Sequence, residues 1–302
     1  MAVVAADREA AKITPANLIR QVADLDRLAR SPRPAYQAEW IANASPTERR
    51  DAQGRPEWGL MDAQGPGAVT YLWLADPARA GELRVYLGAE KAPSIRMPAR
   101  DWLDGRHDPF LAPLAGPTGA GWASWFPVPF ADRCLIATTA PPGDYAVALR
   151  RYAPGTPVEP LRLPLGAAPR RQLTATLEAL AKGEPLEAPM PAWRQDFHDW
   201  VAPDGQSISR SILGTGKLTR LACRVAAGNT TDALRGCLVE IRFDGQAEPA
   251  IRAPLGDFFG VVAGLDPWRS LAGAVEPDGT MVARWPMPFR RQVEVKFINA
   301  TR

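Results

Sequence analysis

Histidine and cysteine, the side chains most often recruited as proton shuttles, nucleophiles and metal ligands, are nearly absent: two His and three Cys in 302 residues. Neither His107 nor His198 lies near a Gly-x-Ser-x-Gly elbow, which argues against a Ser-His-Asp hydrolase. Cys134, Cys223 and Cys237 stand singly, without Cys-x-x-Cys or Cys/His spacing, so no metal centre and no cofactor is expected. A Cys223–Cys237 disulfide across a hairpin would require an oxidising compartment. No run approaches the roughly 20 apolar residues of a membrane span. The opening MAVVAADREAAK has too short an apolar stretch for a signal peptide, so a soluble chain with no membrane partner is expected. Charge of one sign is also lacking, since 36 Lys and Arg face 33 Asp and Glu for a net +3, too little to argue for a nucleic-acid partner. Around Gly214, ILGTGKLTRLA lacks the full Gly-x4-Gly-Lys-Ser/Thr spacing and reads as a hairpin turn.

Proline and glycine are plentiful instead. The 31 Pro and 25 Gly cut the chain into short runs that disfavour long helices and favour β architecture. One phrase occurs twice, as KAPSIRMPARDWLDG from Lys91 and AEPAIRAPLGDFFG from Ala247, which sets Ile95 on Ile251, Pro98 on Pro254 and Asp101 on Asp257. The echo continues, with Asp108-Pro109-Phe110 answered by Asp266-Pro267-Trp268 and WFPVPF at Trp125 by RWPMPF at Arg284. The offset drifts as loops allow, so two copies of one supersecondary unit are expected. Alternating runs such as GAVTYLWLAD, ELRVYLG, RCLIATTA and DYAVALRRYA predict at least six strands between Leu60 and Ala153. DFHDWVAP, SISRSIL, TRLACRVAA, GCLVEIRFDG, EPAIRAPL, TMVARWPMPF and VEVKFINA predict the strands of a second set. An amphipathic helix is expected from Thr14, with Pro15 at its first position, and another over about Pro169–Lys182, closed by Gly183. The expected fold is all-β: two tandem jelly-roll β-sandwich domains with an N-terminal helix and a linker helix. Boundaries are placed at 1–45 for the helix and an extended arm, 46–157 for the first jelly roll, 158–194 for the linker and 195–302 for the second.

The strings APLGDFFG, DPWRSLAG and EPDGTMVARWPMPF resemble the core signature of the family 172 glycoside hydrolases, formerly a domain of unknown function. LRVYLGAEKAPSIRMPARDWLDG and the later WFPVPF are similar to the more divergent N-terminal repeat of longer relatives, and LIRQVADLDRLAR to the family's N-terminal entry. The resemblance runs from about Leu18 to Asn299. It implies tandem jelly rolls that assemble as trimers or hexamers, a carbohydrate ligand, and retaining hydrolysis of α-D-fructofuranosides or α-D-arabinofuranosides. That chemistry uses two carboxyl groups about 5 Å apart, one as nucleophile and one as acid/base. The family's acidic Gly-Thr-Glu-Asp-Tyr turn has no counterpart, since in LGDFFG Gly256 stands where the Glu would be and only Asp257 keeps a carboxylate.

Asp257 is therefore the first catalytic candidate, with the bland alternative that it accepts hydrogen bonds from its own turn, as Asp101 would at the matching place. Glu276 and Asp278, in the turn sequence VEPDGT, are candidates for the second carboxylate. For sugar contact the candidates are Trp268, Phe258, Phe259, Arg284, Trp285 and Trp102, because a flat ring packs against sugar C–H groups. Trp102, Trp122 and Trp268 fall at loop edges, whereas Trp73, Trp125 and Trp285 sit in strand patterns that suit core anchors. Three readings stay open. One is a furanosidase, with a site between domains or subunits; another is a noncatalytic binding or assembly module, or a fragment of a longer glycosidase; the last is a purely structural oligomer.

Overall fold

A computed structural model describes residues 12–29, 34–42, 45–89, 91–186, 194–261 and 264–301. They divide into two units, one within 1–23 and 31–181, the other within 24–30 and 182–302.

The first unit is built from two antiparallel sheets. One has the order Tyr36–Ala42, Tyr145–Tyr152, Gly67–Leu74, Gly121–Ser124 and Ala115–Thr118, with Val128–Phe130 also pairing on Gly67–Leu74. The other runs Thr47–Arg50, Pro56–Gln64, Arg133–Thr138, Glu82–Leu87 and Ile95–Pro98. Their inner faces meet in one apolar core that includes Leu74, Val85, Ile136 and Tyr145. Crossing repeatedly between two sheets, with every pairing antiparallel, makes this a jelly roll. Part of the expected N-terminal arm belongs to it, because Tyr36–Ala42 is a sheet strand registered on Tyr145–Tyr152.

The expected helices are present. Pro15–Ala23 is capped reciprocally, Thr14 N–H donating to Asn17 Oδ1 (3.0 Å) and Asn17 N–H to Thr14 Oγ1 (3.2 Å). It ends sooner than the apolar pattern implies, giving way to a 3-10 turn over Leu25–Ala29 in which Leu28 is exposed. The longer helix spans Ala167–Lys182 and stops at Gly183, whose φ of +62° is left-handed.

A carboxylate–guanidinium network lies inside the first unit. Arg84 Nη1 donates to Glu57 Oε1 (2.7 Å) and Asp51 Oδ2 (3.1 Å), and its Nε to Glu82 Oε1 (2.7 Å). Tyr86 donates its hydroxyl to Glu57 Oε1 (2.6 Å), and Arg49 donates to Glu57 Oε2 (2.8 Å). Glu57 is fully buried, and Asp51, Arg84 and Tyr86 nearly so. Every buried charge there has a partner, as burial requires.

The second unit has its own core around Val239, Ile241, Leu255, Phe259, Val293 and Val295. Gln206–Leu213, Gln292–Asn299, Cys237–Phe243 and Ile251–Pro254 form one sheet in the order that Pro56–Gln64, Arg133–Thr138, Glu82–Leu87 and Ile95–Pro98 follow in the first unit. Opposite, Leu221–Cys223 pairs with Met281–Ala283, which pairs with Gly273–Val275 and through it with Trp268–Arg269, while Gly216–Leu218 pairs with Met287–Phe289. Register ties Gly216 to Phe289 as it ties Gly67 to Phe130, and a Cβ on either glycine would press on that ring, at 3.0 Å and 2.4 Å. DFHDWVAP is not a strand. That segment attaches instead through side chains, with Phe197 against Phe297, Asp199 paired with Arg210, and Asn299 Nδ2 donating to Val201 O (2.9 Å). Cys223 and Cys237 are free thiols, and burial pushes the Cys223 thiol up to about 11.

Candidate functional site

In the second unit, strand Ile251–Pro254 runs into a single helical turn, Leu255–Phe259, with Pro254 at φ −53° setting the corner. The first unit repeats the device with Ile95–Pro98, Pro98 at φ −51° and the turn Ala99–Leu103. Gly260 closes the second turn at φ +72°, its N–H donating to Asp257 O (3.2 Å). Gly256 is required by packing: a Cβ there would lie 2.4 Å from Val261 O and 3.2 Å from Leu234 O. A glutamate at this position has no room, which explains locally why the acidic string is absent.

Trp268 organises the surroundings. Its indole lies along Gly260 and Gly273, 3.3 Å and 3.2 Å from where their Cβ atoms would be, and it pairs in register with Val275, the residue before Glu276. The helical turn carrying Asp257 and the strand end carrying Glu276 are thus both built against one indole, which remains 37% exposed. The Asp257 carboxylate is paired with Arg235 and bonds nothing in its own turn, so the turn-building role is not what its side chain does. Glu276 is paired with Arg269, which also lies 3.9 Å from Glu184. Asp278 sits in the turn, taking the Thr280 N–H (3.0 Å) and facing Arg224 (3.6 Å). The Thr280 amide and hydroxyl hold the Asp278 carboxyl below the usual carboxylate range, Arg224 adding to them.

The other expected contacts are distributed differently. Phe259 belongs to the core, and Phe258 meets it edge to face, only partly buried. Arg284 is buried and donates through Nη1 to Ser270 O (3.2 Å) and Gly183 O (3.3 Å). Burial and the nearby Arg220 charge lower its pKa. Trp285 is 45% exposed. Trp102 is buried and stacked on Phe110, centroids 3.7 Å apart, which leaves it no open ring face.

Asp101 keeps different company from Asp257. With Asp104 and His107 it forms the one group of potential metal ligands among the described residues, atoms within 4.8 Å of one another. The His107 Nδ1–Asp104 Oδ1 contact is 3.1 Å, and His107 is half exposed.

One aromatic group is not legible from the alternation. Trp125, expected in the core, is 41% exposed, and Trp40 is 61% exposed. Trp40 stacks on Tyr71 (5.3 Å, 21°), and Tyr71 meets Trp125 (5.6 Å, 55°). GAVTYLWL is apolar at nearly every position, so period-2 reading does not say which face is open.

Two family models match this chain: the first β-sandwich domain of glycoside hydrolase family 172 over residues 17–165, and a family 172 domain-like model over residues 202–302. The chain belongs to glycoside hydrolase family 172. No curated protein matches it. Among solved structures it is similar to the major capsid protein P2 of bacteriophage PM2, at 9% identity over 88% of this chain and 98% of that one, with a TM-score of 0.26. The STIV MCP is more distant, at 8% identity over 87% and 96% of the two chains, with a TM-score of 0.17. Neither likeness is close enough to bear on function or assembly. Among the described residues no helix is long and apolar enough to cross a membrane.

Proposed function

We propose that this family 172 member is a carbohydrate-active protein whose second jelly roll receives a sugar over Trp268. The observation that carries this reading is the half-open indole with two acidic residues, Asp257 and Glu276, on the elements packed against it. An exposed ring offers an apolar face to sugar C–H groups, and the neighbouring carboxylates and guanidinium groups offer hydrogen-bond partners to hydroxyls. Phe258 and Trp285 are further apolar contacts, and Arg284 holds the Ser270 loop in place. The reaction proposed is retaining hydrolysis of an α-furanoside. One carboxylate attacks the anomeric carbon while a carboxylic acid protonates the departing oxygen, and water then cleaves the glycosyl ester. Asp257, Glu276 and Asp278 are the residues proposed for those roles.

A noncatalytic sugar-binding role is the second reading, favoured by the arginines that occupy both Asp257 and Glu276. Hydrolysis of aryl α-fructofuranosides and α-arabinofuranosides separates the two. Release of the aryl alcohol that vanishes in Asp257→Asn supports the enzyme, whereas sugar binding without turnover supports the binding module. Absence of both sinks the proposal for these sugars.

We further infer that the two units arose by duplication, which the shared strand order and the Gly67/Gly216 correspondence support. Assembly as a trimer or hexamer goes with the family resemblance, and light scattering showing a monomer at micromolar concentration would remove it.

A further inference from the structure

The ring row of the first unit is a surface that the fold itself does not require. Register makes this explicit. Gly67–Leu74 pairs with Val128–Phe130 and Gly121–Ser124, and Gly216–Leu218 and Leu221–Cys223 pair with Met287–Phe289 and Met281–Ala283 in the same steps. Val69 corresponds to Leu218, Leu72 to Leu221 and Leu74 to Cys223, apolar throughout. Between them Tyr71 corresponds to Arg220 and Trp73 to Ala222, while Trp125, following Ser124, corresponds to Arg284, following Ala283. The second jelly roll forms with two arginines and an alanine where the first presents three large rings. The inward positions are thus apolar in both units, whereas the others differ: Arg284 is buried against Ser270 and Gly183 where Trp125 stays 41% exposed.

The outward positions of the first unit are arranged as a platform. Trp40, Ala148 and Tyr71 lie side by side on three adjacent strands, Trp40 registered on Ala148 and Ala148 on Tyr71. The small Ala148 side chain lets Trp40 reach across and stack on Tyr71, and Trp125 extends the row. Trp73 lies in the same sheet with its indole over Gly121, where a Cβ would come within 2.8 Å of Nε1.

We propose that Trp40, Tyr71 and Trp125 form a carbohydrate-binding platform on the first jelly roll, a site separate from the surroundings of Trp268. The proposal rests on the reading of this chain as carbohydrate-active. Area favours a sugar over a second protein. Rings of this kind bury roughly 150–250 Å² each when covered, and these are already partly covered. They leave on the order of 300 Å² open, well short of the about 800 Å² per partner of a stable protein interface. Trp40 and Tyr71 spend one ring face on each other, so the surface open to a sugar is the exposed remainder of Trp40 and of Trp125 at the two ends of the row.

The test is affinity electrophoresis of the full chain through gels containing arabinan or, as a pyranose control, dextran, with parallel light scattering and thermal melts. The variants are Trp40→Ala and the pair Tyr71→Arg with Trp125→Arg, which installs the residues that the second unit carries on the same strands. The expected result is retardation by arabinan in the native chain that falls at least tenfold in both variants, with melting behaviour preserved and aryl-furanoside turnover retained. Equal retardation of native and variant chains overturns the platform while leaving the proposed function standing. No retardation or turnover of the native chain overturns both. A change in oligomeric state with unchanged retardation makes the row a subunit contact and overturns the platform. If Tyr71→Arg with Trp125→Arg does not fold, Trp40→Ala alone decides, since Trp40 is the most exposed of the three.

Discussion

Arg84 Nη1 donates to Glu57 Oε1 at 2.7 Å inside the first jelly roll, where Glu57 is fully buried. The same nitrogen reaches Asp51, and Tyr86 and Arg49 complete the shell of Glu57. Two carboxylates converging on one guanidinium nitrogen invite comparison with a catalytic pair. A nucleophile must reach an anomeric carbon, however, and the Glu57 oxygens are closed in by Arg84, Tyr86 and Arg49. The arrangement joins strand Pro56–Gln64 and the turn before it to Glu82–Leu87. Removing one partner leaves buried charge that the remaining members compensate only in part, so Glu57→Ala or Arg84→Ala should destabilise by up to about 3–5 kcal/mol in denaturant melts. A loss under about 1 kcal/mol in both would contradict that role.

Asp51 gives the network a pH signature. Burial opposes its ionisation, but hydrogen bonds from the Arg55 and Gln53 amides and the Arg55 guanidinium outweigh burial and bring its pKa down to about 2. The unfolded chain binds that proton at an ordinary aspartate value near 3.9. A depressed folded-state value means that stability from Asp51 is complete above about pH 4 and is lost as pH falls towards 2. Acid-unfolding curves of the native chain should therefore steepen in that window, and Asp51→Asn should flatten them there. Superposable acid limbs would show that Asp51 is not linked to folding.

The Gly256 position yields a packing prediction. Gly256 is buried at the start of the Asp257 turn, and Val261 N–H donates to Gly256 O at 2.7 Å. The two carbonyl oxygens that a Cβ would strike belong to backbone and have little freedom to retreat. Gly256→Ala should destabilise by about 1–3 kcal/mol as overpacking. Substituting Ala at Arg100, the matching and exposed position of the first unit, should be near neutral. Equal melts for the two substitutions would contradict this account.

How much of this was legible beforehand depends on the kind of constraint. The doubled phrase fixes both strand–turn corners, because Ile95, Pro98, Ile251 and Pro254 answer to backbone geometry and core burial, which leave marks in residue type. The helix at Ala167–Lys182 was legible from apolar spacing and its closing glycine. DFHDWVAP misleads because its alternation is real but its ties are made by side chains, which periodicity does not report. The Asp51–Glu57–Arg84 network left no sequence signal either, since in RRDAQGRPEWG charged residues read as a solvated loop until Glu82–Leu87 is laid beside them. The site around Trp268 is partly legible: residue type and position point to Trp268, Asp257 and Glu276, but not to Arg235 and Arg269, which occupy the two carboxylates. Nothing in sequence spacing brings Arg235 to Asp257, because the helix Thr230–Gly236 approaches only through tertiary packing.

That ion pair makes the enzymatic question clean to test. Asp257 and Arg235 side chains are 43% and 50% exposed, and an ion pair so wetted contributes at most about 1 kcal/mol. Asp257→Asn and Arg235→Ala should therefore melt within a few degrees of the native chain. Activity changes in them then report chemistry at the carboxylate instead of unfolding. If Asp257 is a catalytic residue, Asp257→Asn abolishes aryl-furanoside turnover, while Arg235→Ala keeps the carboxylate and retains measurable turnover. If Asp257 serves only to anchor Arg235, both substitutions leave turnover near native. Loss of turnover in Arg235→Ala with turnover kept in Asp257→Asn would place the functional group on the arginine and remove Asp257 from the mechanism.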